Sequence, residues 1–355
     1  MIGQTDSSTT CEKTSATRVA SSMGISWRKR GTVSQCVLPY MIAFFIAACA
    51  EKESPPPQKQ STAPAKSSAS GSQSTSTAAQ VAAEARGNLK CPPNIATPAR
   101  AQGAPVDDIV GVRPGITYEE AAAVVLCSNG LFVVQPESQR TVDIKTYGQK
   151  IRQGFNARFA EPKKTSKEIM QEMQDAATAR GTNRIVRDLK PGQSKWYVGT
   201  MGTPGQERVI SVAREEWFET GRNPTMASVE QALQEKYGKP NKVGQQGTVK
   251  AFNWAYDLQG RVITETSPLF QRCSANASPD VGMRFSPDCG LIVAAAIHPM
   301  PNNPELSQYL QVSVVDQAGA YESITATEKA LQKADAQRQA KEVEDASQGA
   351  NKPKL

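Results

Sequence analysis

The chain has 355 residues, 39% of them hydrophobic, and a net charge of +7. That length admits two domains, but the apolar share is too low for a chain packed throughout. Lysines and arginines are interspersed with acids rather than gathered on one stretch, which argues against a nucleic-acid partner. Residues 1–22 are rich in serine and threonine without periodicity and read as a non-functional extension ahead of Met23.

Arg28, Lys29 and Arg30 precede an apolar run from Val37 to Ala48 that ends in small residues just before Cys49. Basic charge, apolar run and small residues, in that order, predict a secretory signal over residues 23–48. The run is short against the roughly 20 residues that a membrane helix needs, and Pro39 interrupts it. The stretch Ile46-Ala47-Ala48-Cys49 resembles the lipobox of bacterial lipoproteins. The resemblance implies that Cys49 carries lipid, palmitate included, and becomes the mature N-terminus. It also implies an outer-membrane address facing the periplasm, because Ala50 rather than aspartate follows. Two or three acyl chains make such an anchor effectively stable.

Residues 49–90 are dominated by Ser, Thr, Ala, Pro, Gln and Lys, with Pro55-Pro56-Pro57 near the start. Such a composition buries too little apolar surface to offset its ordering entropy, so a disordered tether is expected, with a short helix at residues 78–85. Beyond Cys49 the cysteines are Cys91, Cys127, Cys273 and Cys289. Four cysteines in an oxidising compartment imply two disulfides with three possible connectivities, of which nearest-neighbour pairing is expected. A metal site is disfavoured, since no C-x-x-C pair occurs and the single histidine, His298, is not beside a cysteine. No cofactor motif occurs.

The first foldable unit, residues 91–182, opens with a capping box, Thr117 followed by Glu120, and a helix from Tyr118 to Leu126. Strands are predicted at residues 131–134 and 154–159, then a helix at residues 165–179 whose apolar side carries Ile169, Met170 and Met173. The second unit, residues 183–320, begins with a hairpin. Strands at residues 195–200 and 207–218 flank a turn with Pro204 and Gly205 placed as a tight turn wants them. A helix striped by Val229, Leu233 and Tyr237 follows and is ended by Gly238 and Pro240. Further strands are predicted at residues 248–256, 261–266, 291–297 and 310–315, the last two apolar enough to be central. Residues 321–355 read as a charged tail, helical or frayed. The fold class is α+β: antiparallel sheets with short helices packed on one face, arranged as two related subdomains after the tether.

The helix ending in Tyr237-Gly238-Lys239-Pro240 resembles that of small envelope lipoproteins of the SmpA/OmlA (BamE-like) type and of the beta-lactamase-inhibitor-protein fold. The opening Pro114-Gly115-Ile116-Thr117 shares part of the layout. Those families act by binding proteins, so the resemblance implies a membrane-anchored, non-enzymatic envelope protein with an envelope or periplasmic protein partner. An inhibitor or modulator of a secreted hydrolase is the alternative, and a cell-wall or lipid hydrolase with unidentified acidic residues a further one. Catalysis finds little support in the residues: no Gly-x-Ser-x-Gly, His-Glu-x-x-His or phosphate loop occurs, and Glu215 and Glu216, adjacent on a strand, point to opposite faces. The candidate binding surface is the hairpin, where Trp196, Tyr197, Arg214, Trp217 and Phe218 supply the aromatic and arginine side chains typical of binding hot spots; the competing reading is core, since some of these aromatics must face inward.

Overall fold

The computed structural model describes residues 76–95, 99–137, 142–181 and 189–349. The expected extension, signal sequence and Cys49 lie outside the described residues, as does most of the expected tether. Five helices and eight strands are present among the described residues: α1 (Ala78–Arg86), α2 (Tyr118–Ser128), β1 (Phe132–Glu137), β2 (Gly154–Phe159), α3 (Ser166–Gly181), β3 (Ser194–Met201), β4 (Arg208–Trp217), α4 (Met226–Tyr237), β5 (Lys242–Gln246), β6 (Val249–Ala255), β7 (Leu291–Met300), β8 (Asn303–Asp316) and α5 (Gln317–Gly349).

The strands form one antiparallel sheet in the order β1-β2-β3-β4-β8-β7-β6-β5. The boundary expected between residues 182 and 183 therefore falls within a continuous sheet, and the predicted subdomains share a core. β4 and β8 join them, with Ser211 opposite Val315 and Trp217 opposite Tyr309. On one face Val198, Val212, Val314, Val293 and Trp254 form a single cluster with Tyr118 and Val125 of α2 and Val229 and Leu233 of α4. The capping box of α2 is present: Thr117 accepts from the Glu120 amide, and the Glu120 carboxylate accepts from the Thr117 amide. The long α5 feeds a separate cluster, its Ala320 and Leu331 packing with Met201 and Ile210.

Several expectations are corrected. The short helix expected at residues 78–85 is present as α1, but the tether reading ends too late: Ala82 is fully buried and Arg86 donates to the Gly130 carbonyl, so the folded body begins before Cys91. The stretch 261–266 forms no strand and makes only the bridge of Val262 to Tyr256. β6 already has β5 on its outer side, and β5 is polar and exposed, without the apolar alternation that reveals a strand. β8 starts well before residue 310, because a turn after Met300 folds it back along β7. In α3, Ile169, Met170 and Met173 are 48%, 58% and 64% exposed, so its apolar side is not turned into the core.

Close approach explains one glycine. A Cβ on Gly154 would stand 2.2 Å from the Val198 carbonyl oxygen, and its φ of +144° suits glycine alone, so β2 reaches β3 only with glycine there. A buried carboxylate ties the α2 end of the body to the β3–β4 hairpin. Glu207, 2% exposed, accepts from the Arg152 guanidinium at 2.8 Å and from the Arg152 and Gly205 amides. Burial pushes its pKa up, but the bonds from the Arg152 side chain and backbone outweigh that and hold the carboxyl below the usual carboxylate range.

The disulfides pair as Cys91–Cys127 and Cys273–Cys289. Cys273 and Cys289 sit buried with Phe270 and Leu269 under β6 and β7. Replacing both with alanine is expected to cost about 3 kcal/mol in urea unfolding, from the loop-closure entropy returned to the unfolded chain. Glu207→Gln is expected to cost about 2 kcal/mol near neutral pH, the worth of a buried charge-assisted bond. Because the folded carboxyl is the stronger acid, that stabilisation is complete above the unfolded value of about 4.3 and disappears as pH falls through the lower folded value. Unfolding curves of the two proteins should therefore converge on acidification; a constant gap would contradict the assignment.

Candidate cleft beneath the fourth helix

α4 is set in place at both ends. Thr225 caps it by accepting from the Ser228 amide at 3.0 Å, and the Pro224 carbonyl accepts from Ser307 of β8. At the other end Gly238 turns the chain away, and its carbonyl accepts from the Trp254 indole at 2.7 Å. Between these fixings the helix does not close fully onto the sheet. A cavity of about 350 Å³ remains between α4 and the strands β4 and β8. Val312 and Leu310 of β8 form its floor beside Arg214 of β4, while Phe218 and Pro224 stand at one side and Val110 at another. The size suits a small-ligand or side-chain pocket, and the lining is mostly apolar.

Four side chains with polar groups line this cleft: Arg214, Lys236, Ser228 and Tyr237. The Arg214 guanidinium lies over the Trp196 ring at 5.4 Å and pairs through Nη1 with Glu216 at 2.9 Å. Its Nε is buried and has no hydrogen-bond acceptor. Lys236 is held by the Asp108 carboxylate at 3.1 Å. Asp108, 3% exposed, also accepts from the Gly111 amide, and its backbone carbonyl accepts from the Tyr237 hydroxyl at 2.9 Å. Burial, and then the Asp108 carboxylate, push the Tyr237 phenol well above its ordinary value, which keeps it a proton donor in that bond.

The Asp108 turn frames the cleft and is strained. Ile109 and Val112 exchange both backbone hydrogen bonds, leaving Val110 and Gly111 as the central pair of a two-residue turn. Both have positive φ, 47° and 83°. Such turns favour asparagine, aspartate or glycine, and a β-branched residue in the left-handed region is an outlier that costs about 1–2 kcal/mol. The strain presents a valine side chain, 37% exposed, to the cleft.

The five residues predicted as one binding surface fall on opposite faces of the sheet. Arg214 and Phe218 line the cleft, and Trp196 lies buried beside Arg214 in the core of that face. Tyr197 and Trp217 point the other way and are buried, at 3% and 7% exposure. There Trp217, Tyr309 and His298 stack in a column, with ring centroids 4.8 Å and 3.9 Å apart. Beneath it Glu215 accepts from the Trp217 indole at 2.8 Å and from the Gln311 amide at 2.6 Å, and Gln311 in turn meets the His298 ring at 3.2 Å. Glu215 and Glu216 do lie on opposite faces, as strand geometry requires. The residues that sequence reasoning missed, Val110, Ser228 and Lys236, come from a turn and a helix far from the hairpin. The sole local signal was a valine directly before Gly111 in a turn.

No known protein family, curated protein or solved structure matches this chain. Among the described residues no group of three or more His, Cys, Asp or Glu side chains is placed to hold a metal ion, and no helix is long and apolar enough to cross a membrane.

Val110→Asn is expected to stabilise the fold by about 1 kcal/mol, since asparagine tolerates the left-handed turn. Thermal unfolding reads this directly; a destabilised variant would show that the valine side chain packs for stability and not for the cleft.

Proposed function

We propose that this chain is an exported, lipid-anchored protein of the bacterial envelope that acts by binding another envelope or periplasmic protein through the cleft beneath α4. The cleft carries the reading. It is an apolar hollow with one half-satisfied guanidinium at its floor, framed by a turn that spends backbone energy to present a valine. Unexplained strain of this kind is characteristic of sites under functional constraint. The two disulfides support export, because such bonds persist in oxidising compartments. The lipobox-like Ile46-Ala47-Ala48-Cys49 supports anchoring at the outer membrane, with the chain facing the periplasm. The α4 helix ending in Tyr237-Gly238-Lys239-Pro240, packed on an antiparallel sheet, is consistent with the resemblance to small protein-binding envelope lipoproteins. Binding rather than catalysis is favoured because the buried Glu215 carboxylate is occupied by Trp217 and Gln311.

Two measurements test this in intact cells. Metabolic labelling with a fatty-acid analogue should mark the chain, and Cys49→Ala should abolish the label and release the protein from membranes. A photo-crosslinking residue at Ser228 should give a discrete adduct with one envelope protein, while one at exposed Arg338 on α5 should not. Membrane attachment of unlabelled Cys49→Ala would sink the anchor, and identical adduct patterns from the two positions would sink the binding site.

A further inference from the structure

We infer that what enters the cleft is the free C-terminal end of a partner chain whose last residues are apolar, with its carboxylate on Arg214. This rests on the proposal that the cleft is the binding site. The walls call for an apolar guest, since Val229 and Leu233 of α4 face Leu310 and Val312 of β8 across it. The charge calls for an anion. Lys236 is already held by the buried Asp108, whereas Arg214 meets a carboxylate, Glu216, only through Nη1, and its Nε has no acceptor. A guanidinium presents a planar fork of donors that matches a carboxylate. An incoming carboxylate would give that unsatisfied edge its oxygen once the side chain turns Nε, here closed to solvent, toward the cleft.

The shape calls for a chain end. The cleft is floored by paired strands, so an extended peptide crossing it would find no strand edge there for its backbone N–H groups. A peptide turning back inside would bring further backbone N–H groups into an apolar hollow, and buried donors without partners are costly. A terminal carboxylate has no such donors. An amidated end has two, and of the neutral polar side chains lining the cleft, Ser228 and Tyr237, the Tyr237 hydroxyl is already bonded to the Asp108 carbonyl.

The test is fluorescence anisotropy with the full chain purified in detergent. The probe is a fluorescein-labelled tetrapeptide ending in phenylalanine and leucine, as the free acid and as the C-terminal amide. The acid is expected to bind about tenfold or more tighter, the worth of one charge-assisted hydrogen bond. Arg214→Met should erase that preference. Ala232→Trp, which fills the mouth of the cleft from an exposed helix position, should weaken both. The acid-to-amide comparison on the unaltered chain needs no variant, so it stands even where Arg214→Met does not fold. Equal binding of acid and amide overturns the inference. Decanoate binding that Ala232→Trp abolishes, with neither peptide bound, also overturns it and gives the cleft to a small amphiphile. Failure of both peptides while the Ser228 crosslink persists removes this ligand and leaves the proposed function intact.

Discussion

The pairing of β4 with β8 is the contact on which this molecule depends. It joins strands about a hundred residues apart in the chain and merges two four-stranded halves into one sheet. Each cross-strand pair along it fixes something else. Arg214 opposite Val312 makes the floor of the cleft; Glu215 opposite Gln311 makes the polar network; Trp217 opposite Tyr309 begins the aromatic column. A one-residue slip would exchange the faces of every side chain on the strand. It would drive Arg214 under the aromatic column and Glu215 into the apolar core. The seam is thus held in register from both sides by groups that fit only where they are.

The two faces of the seam use different chemistry. One is apolar and incompletely filled, because α4 is tied down at Thr225 and at Gly238 and cannot sink further. The other is closed by stacked rings and a carboxylate whose bonds are made within the sheet. Burial of a charge is costly unless it is hydrogen-bonded, and Glu215 meets that requirement through residues on its own strand and on the next. A polar network on this face suits register better than grease would, since its bonds are directional.

The features legible in the sequence were local ones. The Thr117–Glu120 capping box, the hairpin around Pro204 and Gly205, and the stop at Gly238 and Pro240 each rest on residues a few positions apart, and each is present. Nearest-neighbour disulfides belong to the same class. The seam was not legible, since neither β4 nor β8 carries a mark naming the other, and two subdomains were the natural expectation. That some hairpin aromatics must face inward was legible, but which of them share a face with the cleft was not. Trp196 and Arg214 stayed with the cleft; Tyr197 and Trp217 did not. The apolar stripe of α3 was read correctly as periodicity, but periodicity does not say whether a helix is covered.

The Cys91–Cys127 bond has a mechanical meaning. Tension applied to the chain ahead of Cys91 passes through the sulfurs to Cys127 at the end of α2 and on into β1. Residues 92–126 lie in parallel with that covalent path and carry none of the load. The strained turn at Val110 and Gly111 is among them. Pulling on the N-terminal end can strip α1 from the body while the frame of the cleft keeps its shape.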